Sequence, residues 1–285
     1  MIKSKIITNI ENIINFIEDN LNGKIALETI ANTNDYSKYY LHRMFTNITG
    51  MTLHNYIWRR QLTEAANLLI FSKKPIIEIA FMCGYESQQA FSTAFKSMYK
   101  ISPAKYRKEK KFYPLQLKIV LHKKLLDLSK INLSLAQMED IPCWMELIDL
   151  IVNGFPYLDK KDYLEKLKFS IATKQALIFK QDKTVIGVMI FSYKKSSIEF
   201  MGIHPQYRNY GIQKRFLDKL LNEFLPEKII STTTYRKNDK ADTGYRNELI
   251  ELGFTEKELL TEFGYPTQRF IFQKKEYLIE KSKKF

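Results

Sequence analysis

Residues 87–96 of this chain place amide and hydroxyl side chains at the spacing of one helix face. Gln88 and Gln89 are followed four positions later by Ser92 and Thr93. A solvated helix face usually has Glu and Lys there, since both favour helices and stay hydrated. Glutamine forms bidentate hydrogen bonds with adenine in the major groove, and serine or threonine bonds to several bases. These residue types predict a helix that reads DNA bases, with a polar solvated face as the alternative.

An internal repeat favours base reading over the solvated face. Five residues return after about 50 positions, where Ala31, Tyr36, Phe45, Thr52 and Tyr56 match Ala80, Tyr85, Phe95, Ser102 and Tyr106. Two copies of one small helical unit explain this most economically. Each copy predicts a short helix (27–32, then 76–82), a turn, and a second helix (37–46, then 87–99). This arrangement is a helix-turn-helix, present twice.

The second helix of each copy is amphipathic. Its apolar face has Leu41, Met44 and Phe45 in the first copy, and Phe91, Ala94 and Phe95 in the second. Ser37 and Ser87 stand where a hydroxyl would cap the helix start. A connecting helix over residues 52–71 would be about 30 Å long, close to the spacing of about 34 Å between successive major grooves. One chain is therefore predicted to bind two adjacent grooves of an asymmetric site, with DNA bent toward the protein.

Composition and charge agree with a DNA-binding protein. The 285 residues are 45% hydrophobic, with 10 Gly and 8 Pro, which allows two globular domains. The formal net charge is +14, and the first 130 residues contribute +10 of it from 20 basic and 10 acidic residues. This bias suits DNA, with a lysine-rich solvated surface as the alternative. Two distant cysteines suggest neither disulfides nor a metal site, and the charged first twenty residues exclude a signal peptide, so we expect a soluble cytoplasmic protein.

The segments SKYYLHRMF, IIEIAFMCGYESQQAFSTAF and ISPAKYR resemble the AraC/XylS family of transcription regulators. The resemblance covers residues 8–109 and is closest to the monomeric multiple-antibiotic-resistance and Rob-type activators. It implies an all-α DNA-binding domain over residues 1–110 that acts as a monomer, with double-stranded DNA and RNA polymerase as partners. By position, the base-reading residues are Tyr39, His42, Arg43, Gln88, Gln89, Ser92 and Thr93, and the backbone contacts are Lys38, Lys96 and Arg107. Thr93 replaces an arginine of those relatives, so a shared target sequence is not expected.

The second half has a different pattern, with strands alternating with helices. Residues 111–130 predict a basic linker, with a weak strand over 115–121. From residue 131 onward, a strand and a helix (CWMELIDLIV) precede three strands: ALIFKQ, TVIGVMIFSY and SSIEFMGIHP. A helix, the strand EKIISTTTY, another helix and the strand TQRFIFQK follow. Residues 131–285 are therefore predicted to form an α+β domain.

The informative join in this half is GIHPQYRNYGIQKRF, where a strand leads through a basic loop to a helix starting near Gly211. Free amides and the positive end of the helix dipole at such a start suit a pyrophosphate. With the hairpin QDKTVIGVMIF and the ELGF that closes the late helix, this join resembles the GCN5-related N-acetyltransferase (GNAT) fold. The resemblance implies acetyl-CoA as cofactor. Its contacts would be the backbone of Met201 and Ile203 and the loop Arg208, Asn209, Tyr210, Gly211, Ile212 and Gln213.

Three positions depart from the acetyltransferase pattern. Gln213 replaces a small residue, which predicts a crowded cofactor loop. Leu249 replaces the tyrosine that serves many members as general acid, and Asp242 replaces a common asparagine. Tyr245, one turn before Leu249, is the candidate for a shifted general acid, and Glu199 is the candidate general base. A packed tyrosine and a surface glutamate are the structural alternatives.

The leading functional prediction is a DNA-binding transcription regulator, an activator, whose acetyltransferase-like domain binds acetyl-CoA or another small ligand. Two alternatives stay open. In one, the protein is mainly an acetyl-CoA-dependent N-acyltransferase of a small amine or antibiotic that controls its own operon. In the other, the second domain is a sensor without catalytic activity. Turnover with an amine acceptor would separate them.

Overall fold

A computed structural model describes residues 2–23, 25–33, 37–123, 127, 131–151, 160–226, 229–262 and 264–274. The residues form two compact units. The first unit consists of Met1–Leu126, Asp149–Tyr157 and Pro205–Asn209, and the second unit consists of Asp127–Ile148, Leu158–His204 and Tyr210–Phe285. Among the helices of the described residues, none combines the length and apolarity needed to cross a membrane.

The first unit is helical. Its helices are α1 (Ile2–Asp19), α2 (Leu27–Thr33), α3 (Lys38–Thr49), α4 (Leu53–Phe71), α5 (Ile76–Met82), α6 (Gln88–Tyr99) and α7 (Pro103–Glu109). The pairs α2–α3 and α5–α6 are the two predicted helix-turn-helix units, and α4 is the predicted connecting helix. Tyr36, one of the repeat positions, lies outside the described residues.

The predicted serine caps are present at both recognition helices. The Ser37 hydroxyl accepts a hydrogen bond from the Tyr40 N–H, and the Ser87 hydroxyl accepts one from the Ala90 N–H. Each bond satisfies an amide that has no partner inside the helix. Gly50 ends α3 in the left-handed region with φ of 71°, and its N–H donates to the Thr46 carbonyl.

The apolar faces of the recognition helices are buried as predicted, except that Ala94 is only partly buried. Leu41, Met44 and Phe45 on α3 pack in the same core as Tyr56 of α4. On α6, Phe91 and Phe95 join an aromatic cluster that includes Tyr99 and Tyr106, all buried. Burial of these rings fixes which face of each helix remains exposed.

The segment of residues 113–122, named the strap here, is neither a strand nor a loose linker. The strand predicted over residues 115–121 is absent among these described residues, which are irregular in conformation. Leu115, Gln116, Ile119 and Leu121 are nevertheless buried against the helices of the first unit. The Thr63 hydroxyl of α4 accepts hydrogen bonds from the N–H groups of Leu115 and Gln116. The strap is therefore an integral part of the first unit.

The second unit contains a seven-stranded sheet in the order β1-β2-β3-β4-β5-β7-β6. The strands are β1 (Asn132–Leu135), β2 (Ala176–Gln181), β3 (Thr184–Ser192), β4 (Ser197–Ile203), β5 (Ile230–Tyr235), β6 (Thr255–Glu262) and β7 (Tyr265–Phe272). Its helices are α8 (Ile141–Ile151), α9 (Lys160–Ala172), α10 (Ile212–Lys219), which continues as a π-turn over Leu220–Phe224, and α11 (Tyr245–Glu251). The predicted fold class is confirmed in that two helix-turn-helix units are followed by an α+β domain. The sequence interpretation missed α9 and β6.

Gly187 in β3 lets α10 approach the sheet. A Cβ built on this residue would lie 2.8 Å from Phe216 Cε2 of α10 and 2.9 Å from Ile203 Cδ1 of β4. Phe216 and Ile203 are both buried, so neither can move freely to make room. Close packing at Gly187 therefore positions the start of α10 next to the end of β4.

We expect the Gly187→Ala variant to be less stable by about 1–3 kcal/mol, because the added methyl overfills this contact. Urea unfolding of the full chain measures the change. Adding Phe216→Leu to the variant should recover part of the loss by opening space beside the new methyl. A single variant within about 0.5 kcal/mol of the unmodified protein would contradict the packing role.

Candidate nucleic-acid interface and cofactor loop

The exposed face of α6 presents the four predicted base-reading side chains of the second copy. Gln88, Gln89 and Thr93 are exposed, and Ser92 is partly exposed. None of the four has a hydrogen-bond partner within the described part of the chain. On the opposite side, Phe91 and Phe95 are fully buried, so the helix cannot rotate without losing its core contacts. The face therefore presents unpaired amides and hydroxyls on a rigid support.

The exposed face of α3 presents the residues predicted for the first copy. Tyr39 is 76% exposed, and His42 and Arg43 are also exposed. The guanidinium of Arg43 lies over the Tyr39 ring, 5.7 Å from its centroid. This cation–π contact limits the rotamers of both side chains. Arg43 is thus pre-oriented for contact with guanine or phosphate.

The predicted backbone contacts differ in their surroundings. Lys38 is exposed and pairs with Glu28 on α2, and this hydrogen bond lowers the pKa of the Glu28 carboxyl below its usual value. Lys96 is exposed on α6. Arg107 donates from Nε to the Leu69 carbonyl at 3.0 Å and from Nη2 to the Lys74 carbonyl at 2.6 Å. Arg107 therefore has a structural role at the end of α4, and the phosphate contact predicted for it stays a prediction.

One further contact fixes the second helix-turn-helix unit to α4. The Trp58 indole Nε1 donates to the Tyr85 hydroxyl at 2.9 Å, which anchors the turn between α5 and α6. Since α4 has 19 residues, its axis is about 28 Å long at 1.5 Å per residue. This length agrees with the length of about 30 Å predicted for the connecting helix.

In the second unit, β4 and β5 are hydrogen-bonded neighbours only at their starts. The described pairing of these parallel strands is limited to Ser197 and Ser231. The His204 N–H bonds back to Ile186 of β3, so by alternation the backbone groups of Met201 and Ile203 point toward the β5 side. Among the described residues these groups have no strand partner on that side. An extended chain with amide groups could pair with this open edge.

The loop after β4 forms a 3₁₀ turn over Pro205–Tyr210 and then enters α10 through Gly211. Gly211 has φ of 66°, and a Cβ built on it would have no neighbour within 4 Å. Asn209, Tyr210 and Gly211 are exposed, whereas Ile212 is buried. The start of α10 is therefore accessible to an anion that uses its first amides and the helix dipole.

Two side chains of this loop do not lie where the sequence suggested. Gln213 is buried, and its Nε2 donates to Glu248 Oε2 on α11 at 3.1 Å, so it does not crowd the loop. Arg208 is buried with 6% of its surface exposed. Its side chain packs against Gly50, where a Cβ would lie 3.0 Å from Arg208 Cδ. The Arg208 side chain therefore packs against the end of α3 and is not exposed on the loop.

Glu199 lies half-buried on β4 among two lysines and a serine. Its carboxylate is 3.3 Å from Lys166 Nζ and 3.4 Å from Lys195 Nζ, and it accepts a hydrogen bond from Ser197 Oγ at 2.6 Å. Burial acts to raise the Glu199 pKa, but the Ser197 bond and the two lysine charges outweigh it and lower the pKa below its usual value. The group is therefore a weak base and a good partner for a cation.

The candidate general acid lies at the start of α11. Tyr245 is partly exposed, whereas Leu249 is buried in the core. Asp242 Oδ1 accepts a hydrogen bond from the Gly244 N–H and so holds the turn before the helix, and burial raises its pKa. The structure thus gives Leu249 and Asp242 structural roles, and Tyr245 remains the tyrosine available on this helix.

Sequence interpretation missed three residues beside the loop, namely His122, Gln206 and Tyr207. The Gln206 side chain bonds to both backbone groups of His122, and the Tyr207 hydroxyl lies 3.2 Å from His122 Nδ1. No spacing rule links residues 84 positions apart, so the sequence held no signal for this contact.

Comparisons with known proteins cover the two halves separately. A family model described as a helix-turn-helix domain matches residues 30–109. The TetD protein of transposon Tn10 from Escherichia coli is 42% identical over 103 residues, or 36% of this chain and 75% of that protein. The multiple antibiotic resistance protein MarA of Escherichia coli is 42% identical over 98 residues, or 34% of this chain and 77% of that protein. A GNAT-family acetyltransferase structure from Bacillus cereus covers 50% of this chain and 97% of its own, with 19% identity and a TM-score of 0.41.

Proposed function

Because this chain belongs to the AraC-type family of helix-turn-helix regulators, we propose that it is a sequence-specific transcription activator whose second unit binds acetyl-CoA. DNA is read by α3 and α6, and acetyl-CoA is the signal that the second unit detects. RNA polymerase is the partner through which a bound activator acts.

The observation that supports DNA reading most strongly is the α6 face. Gln88, Gln89 and Thr93 project from a helix whose other face is locked by buried aromatic rings. An exposed face held at one orientation can place amide groups against base edges in a fixed register. The paired Arg43 and Tyr39 on α3 supply the second reading surface.

One chain is proposed to occupy one asymmetric site. The length of α4, about 28 Å, suits two grooves about 34 Å apart if the DNA bends slightly toward the protein. Gel-shift titration against a duplex selected from a random-sequence pool tests this stoichiometry. A complex with one chain per duplex is expected, and complexes with only two chains would reject monomeric binding.

Acetyl-CoA binding is proposed at the open β4 edge and the start of α10. The backbone of Met201 and Ile203 would pair with pantetheine, and the amides near Gly211 would hold the pyrophosphate. Open space around Gly211 is the supporting observation. When bound, the cofactor would supply an activated acetyl group.

We expect Gly211→Glu to weaken acetyl-CoA binding by about a hundredfold or more in calorimetric titration. Like charges about 4 Å apart repel by about 4 kcal/mol near a protein surface, and the new carboxylate would face the pyrophosphate. The matched control is Gly264→Glu, since Gly264 is exposed with a similar φ of 74°. It lies in the β6–β7 turn at the far edge of the sheet. Equal affinities of both variants, or no binding by the unmodified protein, would reject the cofactor site.

A second candidate function is N-acetylation of a small amine, and Glu199 is the observation that favours it. An ionised carboxylate beside the open edge of β4 can hold an ammonium group by exchanging one of its lysine partners. The ammonium would lose one proton to water, and the amine would attack the thioester carbonyl. Tyr245 would give its proton to the departing thiolate and regain one, through water, from the acylated nitrogen. A panel of polyamine and aminoglycoside acceptors tests this activity, and cofactor binding without turnover would favour the silent sensor instead.

A further inference from the structure

The turn Pro205–Asn209 follows β4 in the chain but belongs to the first unit. Gln206 holds the turn there through a bidentate contact. Its Oε1 accepts from the His122 N–H at 2.7 Å, and its Nε2 donates to the His122 carbonyl at 3.1 Å. Gln206 is buried, so breaking the pair would cost two hydrogen bonds in a buried place. This contact is therefore specific in geometry.

The same turn touches the end of the first recognition helix. Arg208 packs on Gly50, the cap of α3, and a Cβ there would also lie 3.6 Å from the Pro205 carbonyl oxygen. The Tyr207 hydroxyl lies 3.2 Å from His122 Nδ1, and burial lowers the His122 pKa below its usual value. A shift of the turn would therefore change its packing against the end of α3 or its hydrogen bonds to His122.

His122 is the last residue of the strap, which is bonded to α4. The Arg59 Nη2 donates to the Leu115 carbonyl at 2.7 Å, and Arg60 Nη1 donates to the Gln116 carbonyl at 3.1 Å. Thr63 accepts from two strap amides, as described above. Residues 205–208 are thus connected by direct contacts to α3 and, through the strap, to the helix that spaces the two reading surfaces.

We propose that the Pro205–Asn209 turn couples acetyl-CoA binding to DNA binding, through Gln206 and His122 on one side and Arg208 and Gly50 on the other. The inference rests on the proposed cofactor site, since Gly211 and the start of α10 directly follow this turn. An anion that orders residues 208–213 changes the freedom of a segment that α3 and the strap also hold. Two sites that bias one shared element are coupled, and the coupling is reciprocal.

The test measures both affinities with and without the other ligand. Full-length protein is titrated with a selected duplex in the absence and presence of saturating acetyl-CoA, and with acetyl-CoA in the absence and presence of saturating duplex. We expect each ligand to change the affinity for the other by the same factor, about fivefold or more. The direction of the change identifies acetyl-CoA as coactivator or as antagonist of binding.

Two variants assign the coupling to this turn. Gln206→Leu keeps the side-chain volume but removes both bonds to His122. The factor by which each ligand changes the affinity for the other should then fall below about twofold. Tyr207→Phe removes one hydroxyl, disturbs packing little and should lower the factor partially. The control is Tyr193→Phe, which removes an exposed hydroxyl bonded to the Lys174 carbonyl and should leave the factor unchanged.

The outcomes separate the inference from the proposed function. If acetyl-CoA binds and DNA binds but neither changes the other, the coupling is wrong while both binding sites stand. If the factor persists in both variants, the coupling takes another route and the assignment to this turn is wrong. If acetyl-CoA does not bind the unmodified protein, the cofactor proposal fails first, and the inference falls with it.

Discussion

Replacement of Arg60 by alanine is expected to lower the free energy of unfolding of the first unit by about 3–5 kcal/mol. Arg60 on α4 bonds to both carboxylate oxygens of Glu18 on α1, at distances of 2.7–3.1 Å. Its side chain is 8% exposed and that of Glu18 is 13% exposed. The variant would leave the largely buried Glu18 carboxylate with the Tyr56 hydroxyl as its one remaining hydrogen-bond partner among the described residues. Loss of the bond to Gln116 would also release the strap.

Urea unfolding of the full chain, followed by far-ultraviolet circular dichroism, measures this effect as a shift of the helical transition. Lys105→Ala is the control, since Lys105 is mostly exposed and its Nζ lies 3.7 Å from Glu109. That change should stay within about 0.5 kcal/mol. The combination of Glu18→Leu with Arg60→Met should recover much of the loss, because no buried charge would remain. A cost below about 1 kcal/mol for Arg60→Ala would show that the pair does not hold α1 to α4.

The helices of the first unit could be predicted because their signals are local. Ser37 and Ser87 mark the helix starts, and the repeat separated buried rings such as Phe45 and Phe95 from exposed polar positions. The strap lacked such a signal, since its burial follows an irregular path without helical or strand periodicity. The strand β6 was missed because its segment TEKELLTE is charged and almost entirely exposed, so it has no buried apolar face that would predict a strand. Its partner strand, not its sequence pattern, determines its conformation.

The site residues also fall into two groups, those placed by local sequence and those placed by tertiary contacts. The reading faces of α3 and α6 could be predicted, because the helical period fixes which residues share a face. The directions of long side chains could not, and Arg107, Arg208 and Gln213 all turn toward partners in the folded chain. Their partners are 33–158 positions away, so only the tertiary structure reveals them. Long-range contacts of this kind decide whether a basic side chain is available to a ligand or bonds to another part of the folded chain.

Substitution of Gln89 by alanine is expected to weaken binding to the selected DNA site by about 1–3 kcal/mol, or roughly 5- to 150-fold. Gln89 is exposed in the first turn of α6 and has no partner in the described part of the chain. The side-chain amide can therefore use both its N–H donor and its carbonyl acceptor to bond one base. Preference should relax at one base pair of the site and persist at the others. Competition binding against duplexes changed at each position measures both effects.

Lys96→Ala provides the contrast that separates base reading from charge. This exposed lysine on the same helix should act on phosphate, so its loss should weaken binding to all sequences alike and reduce the salt dependence by about one counterion. Gln273→Ala, a glutamine change directly after β7, should alter neither property. If Gln89→Ala weakened all sequences equally, the α6 face would contact the backbone, and specificity would have to come from Tyr39, His42 and Arg43 on α3.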